Sequence, residues 1–376
     1  MKTKFKFAHS ADWHLLEIQY GRRDRAEDFY QAAAEVINQA ANRGAQALVV
    51  VGDILNKPVM SAGLFSILNR INALLVERSL VMLVVTGNHD AGDPDWFTEF
   101  AKSNDSRIHP LDDNGWTHPS GFSARGVNFT GPESMLEKIR ALPPASVLAA
   151  HLAVDSVASN SPSAASVPHD ALPKELFPYI ACGDIHIPAI STYSTVVGYT
   201  TIAMPGSIDI TQNGEPLQKS FYLVTMECEP EYRSTVLEVE TVNIVNSKPV
   251  IPIHIAKESD MDSAIARLRA AAGRDPIVFI RFNPEVADVR SRINAILAGT
   301  NAIVRAAAYD TDMRAPVMGR AAATQHKSAT LMEALNALCP AGSRVHDLAA
   351  ACLVNPQSVD ALLDAYIEKQ SLLSAS

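Results

Sequence analysis

Apolar positions in the first part of the chain follow two alternating periods. Ala47–Val51 and Leu80–Val85 are unbroken apolar runs without polar alternation, as expected of strands buried on both faces. The stretches around them repeat with a helical period. Arg23–Arg43 places Phe29, Ala33, Val36, Ile37 and Ala40 on one face and stops at Gly44, and Ser61–Arg78 reads as the next helix. With a short strand at Lys4–Ala8 in front, the order is β-α-β-α-β, which calls for a sheet that is largely parallel in its first half.

From Gly121 the pattern changes. Phe122–Thr130 reads as a hairpin turning at Arg125-Gly126, and Ser146–Ala150 and Tyr179–Cys182 as short strands. Val196–Met204, Ser220–Glu227 and Thr235–Val242 have the pattern of antiparallel strands of a second sheet. The expected architecture is a two-sheet α/β sandwich with its loops gathered at one edge. Ser156–Pro173 is rich in Ser, Ala and Pro without periodicity and is expected to be a mobile loop, flanking a site or a tolerated insertion.

A second unit begins near Val250. Strand Ile251–Ile255, helix Asp260–Ala272, strand Ile277–Phe282, helix Pro284–Leu297 and strand Ala302–Ala307 follow one another, with Asn283-Pro284 as a helix start. The expected division is 1–245 for the main domain, 250–310 for a small α/β capping domain, 311–327 for a linker and 328–376 for a helical tail. In that tail Val359, Leu362, Leu363, Tyr366 and Ile367 share one face.

Composition narrows the class. The chain has 376 residues, 47% of them hydrophobic, and no run approaches a membrane span. Its basic N-terminus leads straight into a strand without an apolar signal region, so a cytoplasmic protein with no membrane partner is expected. The four cysteines lack CxxC spacing and read as free thiols of a reducing compartment. A net charge of −9 argues against holding nucleic acid by an overall field, so any DNA contact must be local or shared with a partner.

Against this background five segments stand out: Asp12-Trp13-His14, Gly52-Asp53, Gly87-Asn88-His89-Asp90, His151 and Gly183-Asp184-Ile185-His186. Nearly all follow strand patterns. Carboxylate, imidazole and amide ligands delivered to one point by successive strand ends are suited to two divalent ions, and two such ions cleave phosphate esters. On an extended segment Asp12 and His14 would point the same way. Asp53, with two oxygens, is the natural shared ligand. Asn88 offers an amide oxygen, and His151, Asp184 and His186 complete the set.

In this order the motifs resemble those of the calcineurin-like metallophosphoesterases. Within that superfamily they are most similar to the SbcD-type subunit of DNA repair exonucleases, phage versions included. Asp12-Trp13-His14-Leu15, Met204-Pro205-Gly206-Ser207, the small capping domain and the helical tail support the narrower likeness. It covers residues 4–245 by motif and the rest by layout. The resemblance implies a two-sheet metallophosphoesterase sandwich and a metal-dependent nuclease, exonuclease and possibly endonuclease, working by a two-metal-activated hydroxide. One metal would be held by Asp12, His14, Asp53 and His186, the other by Asp53, Asn88, His151 and Asp184. Manganese is the expected ion, with magnesium as the alternative. His89 would donate to the leaving 3′-oxygen and Asp90 would orient His89. The family has His where this chain has Asp184, and often His or Asp where it has Asn56. The implied partners are DNA, an SbcC-type coiled-coil ATPase docked on the C-terminal helices, and a second copy in a homodimer.

Arg22, Arg23, Arg25 and Lys57 are candidate DNA contacts beside the metal loops, against the plainer reading of solvated charges. His9 ends the first strand and is assigned to the core or to supporting a ligand. Two other readings stay open: a phosphoesterase of nucleotides or phosphoproteins, and a scaffold of the same fold that has lost turnover.

Overall fold

In a computed structural model, which describes residues 2–308 apart from 93–94, 104–105, 113, 159–165, 230–231 and 246–247, the unbroken apolar runs become the middle of a six-stranded sheet. Strands β1 (Thr3–Ala11), β2 (Ala47–Val51), β3 (Val81–Val85) and β4 (Ile108–Pro110) run parallel. All five residues of β2 are fully buried, which explains its lack of polar alternation. The other sheet has the order β5 (Trp116–Thr117), β6 (Ser123–Val127), β7 (Val147–Ala150), β8 (Tyr179–Cys182), β10 (Gly198–Met204), β9 (Ala189–Thr195). Its central strands β6, β7, β8 and β10 are parallel. The hairpin β11 (Lys219–Glu229) and β12 (Tyr232–Ile244) returns to the first sheet, where β11 runs antiparallel to β1.

The two sheets face each other across one core, in which Phe5, Phe7, Val49, Val51, Leu83 and Val85 meet Phe122, Val147, Ala149, Tyr179 and Ala181. Helices α1 (Asp24–Asn42), α2 (Ala62–Glu77) and α3 (Trp96–Ser103) cover the outer face of the first sheet. The Ser61 hydroxyl caps α2 by accepting the Leu64 amide at 3.1 Å. Helices α4 (Pro132–Ala141) and α5 (Asp155–Ala158) lie on the outer face of the second. This is the two-sheet α/β sandwich expected from the sequence.

A third, three-stranded parallel sheet follows: β13 (Val250–Ile255), β14 (Ile277–Phe282) and β15 (Ile303–Ala308), with α6 (Asp260–Ala271) and α7 (Val289–Ile296) packed on one face. Its opposite face meets the sandwich, where Ile277, Phe279 and Ile303 pack on Ile210 and Tyr20. Among the described residues no helix is long and apolar enough to cross a membrane. The linker at 311–327 and the helical tail at 328–376 lie outside the described residues, as do 159–165 of the Ser/Ala/Pro-rich stretch.

Four expectations are corrected. Arg125 and Gly126 lie inside β6, and no hairpin turns there. A Cβ on Gly126 would stand 2.4 Å from the Leu111 side chain, so the glycine marks close packing rather than a turn. The strands at 220–227 and 235–242 complete the first sheet instead of building the second. The helix expected from Pro284 begins at Val289: Asn283 caps a single turn, its side-chain oxygen accepting the Glu285 amide at 3.0 Å, and the left-handed Asp288, φ 53°, interrupts the chain before α7. Asp12 and His14 are not extended: both have positive φ, 52° and 45°.

Candidate metal centre

Each of the five segments leaves the C-terminal end of a parallel strand, the edge where open α/β sheets place their sites. Asp12 follows β1, Asp53 follows β2, Asn88 follows β3, His151 follows β7, and Asp184 and His186 follow β8. The chain turns sharply at these exits. Of eight non-glycine residues with positive φ among those described, four are Asp12, His14, Asp53 and Asp184. Such conformations cost about 1–3 kcal/mol each and persist where the surroundings fix them. Two glycines make room for the result. A Cβ on Gly52 would stand 2.1 Å from His151 Nδ1, and one on Gly87 2.2 Å from Asp53 Oδ1.

The side chains then converge. His14 Nε2 and His186 Nε2 are 3.0 Å apart, and His14 Nε2 is 3.7 Å from Asp53 Oδ2. His151 Nε2 lies 3.1 Å from Asn88 Oδ1, 3.4 Å from Asp53 Oδ1 and 3.8 Å from Asp184 Oδ1. Candidate ligand atoms of Asp12, His14 and His186, of Asp12, Asp53 and His151, and of His14, Asp53 and His89 fall within 4.8 Å of one another. Asp184 sits at the rim, its side chain 35% exposed, while its amide donates to Asp12 Oδ1 at 3.1 Å.

Two features show that this donor set fits divalent cations. Asp12 Oδ2 and His14 Nδ1 are buried without a hydrogen-bond partner, a costly arrangement for polar atoms. Protonation behaviour points the same way. Burial, reinforced by the neighbouring His186, lowers His14 to about 3, so its ring is neutral and carries a lone pair. Burial raises Asp12 to about 6. Burial alone would lower His151, yet the hydrogen bond and charge of Asp53, with Asp12 and Asp184, raise it to about 10. Burial would likewise raise Asp53, but His151, the His89 amide and His14 hold it at about 2. Positive charge is thus favoured beside Asp12, Asp53 and Asp184, where His151 sits, and a divalent ion would supply it there.

Around the cluster lies a group that sequence reasoning missed. Glu215 Oε1 lies 2.8 Å from His186 Nδ1 and accepts the Gln212 amide at 3.0 Å and the Thr211 hydroxyl. Its Oε2 accepts from Lys219 Nζ at 2.6 Å, and Lys219 also donates to Ser207 Oγ at 2.7 Å. The carboxylate fixes the ring so that Nε2 faces the cluster. The only local signal is a Gly214-Glu215-Pro216 turn, and the fold alone brings it to His186.

Three candidate assignments change. Asp90 does not orient His89. It is buried, accepting the Leu55 and Gly87 amides, and so ties the second and third metal loops together. The Asn56 carbonyl holds His89 instead, 3.0 Å from Nδ1. Arg25 is fully buried, ion-paired to Asp28 at 2.7 Å and Asp209 at 3.1 Å, and cannot reach DNA. Arg22 is held in a two-bond fork by Asp24, whereas Arg23 and Lys57 are exposed.

Together, the sandwich and its strand-end cluster of Asp, His and Asn resemble the layout implied by the sequence motifs for the calcineurin-like metallophosphoesterases. The chain is similar to the DNA double-strand break repair protein Mre11 of Archaeoglobus fulgidus, with 27% identity over 238 residues, 54% of this chain and 50% of that protein. It therefore spans about half the length of the curated relative it matches. No family model matches. Among solved structures, a dimetal phosphatase from Danio rerio aligns with a TM-score of 0.41 and 12% identity, covering 64% of this chain and 99% of that one. The protein TT1561 of Thermus thermophilus aligns with a TM-score of 0.39 and 12% identity, covering 65% and 100%.

Proposed function

We propose that the chain is a metal-dependent DNA nuclease, the nuclease subunit of an SbcCD-like complex in which a coiled-coil ATPase docks on the C-terminal segment. The observation that carries the nuclease reading is the meeting of two imidazole nitrogens, His14 Nε2 and His186 Nε2, 3.0 Å apart beside the partnerless Asp12 Oδ2. The motif likeness and the similarity to an archaeal DNA double-strand break repair protein support DNA as the substrate.

Asp12, His14, Asp53 and His186 would hold one ion, and Asp53, Asn88, His151 and Asp184 the other. Mixed oxygen and nitrogen donors suit Mn²⁺. Bound ions supply an acidified water and neutralise phosphate oxygens. The protein's own residues do the rest. Asp53 keeps both sites in register through its two oxygens. Glu215 holds the His186 ring. His89, with its side chain 43% exposed, has Nδ1 against a carbonyl that can only accept, so the ring must carry its proton there. Its Nε2, 3.9 Å from Asp53 Oδ2, is the ring atom left to face the leaving 3′-oxygen.

The test is a nuclease assay on linear, hairpin and single-stranded DNA with Mn²⁺, Mg²⁺ or Ca²⁺. Mn²⁺-dependent cleavage that Asp53→Ala or His89→Ala abolishes is expected. Turnover of nucleotide monoesters with DNA untouched would replace DNA by a smaller substrate.

A further inference from the structure

Beside the metal cluster, and distinct from it, lies a cleft of about 610 Å³. Tyr20, Gln212, Asn213, Arg281, Arg290 and Arg305 are among its walls, and among the described residues no carboxylate lines it. Strand register explains the arginines. Phe279 pairs with Arg305 across β14 and β15, and side chains two apart share a face. Ile277, Phe279 and Arg281 therefore share a face with Ile303 and Arg305. The lower end of that face is apolar and packs on Ile210 and Tyr20. At its open end the same face turns to arginine, and both Arg281 and Arg305 are exposed.

Two of the guanidiniums are held but not neutralised. Arg305 lies 5.1 Å over the Tyr20 ring, and Arg290 donates to the Ala306 carbonyl at 3.0 Å. Among the described residues, arginines 22, 25, 43, 70, 78 and 292 have carboxylate partners within 4.0 Å; these three, like Arg23, Arg267 and Arg269, do not, and these three line one cavity. In a chain with 41 acidic against 32 basic residues, three unneutralised arginines around one cavity mark a place for an anion. The cleft also shares a wall with the metal centre. Thr211 lines it, and the Thr211 hydroxyl oxygen is 3.0 Å from His186 Nδ1.

We propose that this cleft holds the phosphodiester backbone of a single nucleic-acid strand and leads it to the metal cluster. Its volume is in the range of pockets that enclose a small organic ligand, roughly 300–1,000 Å³, which suits a nucleotide or two. A duplex, with a major groove alone about 12 Å wide, does not enter such a space. Arginine forks match phosphate oxygens, and the amides of Gln212 and Asn213 add neutral donors. The proposal rests on reading the neighbouring cluster as a nuclease centre.

The experiment measures binding rather than cleavage: fluorescence anisotropy of a labelled oligothymidylate with the full chain in EDTA, across a salt series. Arg281→Gln/Arg305→Gln is expected to weaken binding roughly tenfold or more and to flatten the salt slope by about 1.4, the value for two lost single-strand phosphate contacts. Arg305→Gln alone, which disturbs the sheet less, should flatten it by about 0.7. Arg267→Gln/Arg269→Gln, on the exposed side of α6, should bind as wild type does. Wild-type affinity and slope in the cleft variants would overturn the proposal. So would an equal loss in the α6 variant, or competition by polyglutamate as effective as by unlabelled oligothymidylate. A chain that binds the strand through these arginines but cleaves no DNA with Mn²⁺ would refute the nuclease reading and leave the cleft standing.

Discussion

Replacing Arg25 by Met separates a buried ion pair from a DNA contact. Arg25 and Asp209 are both fully buried, 3.1 Å apart, and Asp28 adds a second carboxylate at 2.7 Å. Gln19 Oε1 accepts from Arg25 Nε at 2.8 Å, and the guanidinium lies 4.8 Å over Phe29. Methionine keeps much of the packing volume but leaves Asp209 with only the Ile210 amide, 2.7 Å from Oδ1. Removing one partner of a buried pair costs about 3–5 kcal/mol, because the survivor is an uncompensated buried charge. No solvent discount applies where both side chains are fully buried. For a domain of this size the loss corresponds to a fall in Tm of roughly 6–20 °C. Burial already raises Asp209, against the opposing charge of Arg25, and removing Arg25 raises it further. A carboxyl raised in the folded state binds its proton more tightly there than in the unfolded chain. The variant's penalty is therefore largest at pH above the folded pKa and shrinks as pH falls through it. Asp209→Asn in the Arg25→Met background should recover much of the loss at neutral pH. The assay is thermal or urea unfolding followed by fluorescence, with buried Trp13 as a reporter, from pH 5 to pH 8. An Arg25→Met protein that melts within a degree of wild type yet loses DNA affinity would refute the buried-pair reasoning.

Three further outcomes follow from the same geometry. His9 is buried between the Tyr179 hydroxyl at 2.9 Å and the Cys182 carbonyl at 3.1 Å, and burial lowers it to about 3. The unfolded chain therefore takes up a proton that the folded one refuses below pH 6.5, and stability should fall by about 1.4 kcal/mol per pH unit in that window. His9→Gln should flatten this slope in denaturant titrations, and an unchanged slope would contradict the burial argument. Glu215→Gln should weaken Mn²⁺ binding by about 10–100-fold in calorimetry while leaving the unfolding transition cooperative. Asp184→His, which replaces a rim carboxylate by imidazole, should tighten the weaker Mn²⁺ site, and a looser site would mean that Asp184 already ligates well.

The candidate site is more legible in the sequence than the edges of the fold. Strands buried on both faces announce themselves by unbroken runs such as 47–51, and the residues just beyond them must lie at one edge of a parallel sheet. Seven side chains, Asp12, His14, Asp53, Asn88, His151, Asp184 and His186, are legible for that reason. What the sequence hides is information held in tertiary contact. Arg25 reads as surface charge because its neighbours Asp24, Glu27 and Asp28 are charged, and only the distant Asp209 shows that it turns inward. Asp90 follows His89 in sequence, yet its carboxylate faces backbone amides of two loops. Glu215 and the cleft arginines have no motif at all. Arg281, Arg290 and Arg305 come together through strand register and helix packing that the apolar pattern does not encode.

The claim on which the rest depends is that one carboxylate, Asp53, joins two metal positions. Titration calorimetry of Mn²⁺ into the metal-free chain addresses it without any substrate. Two ions per chain in the wild type are expected, with both sites lost or severely weakened in Asp53→Ala. A single ion in the wild type, or an Asp53→Ala chain that still binds two, would contradict it.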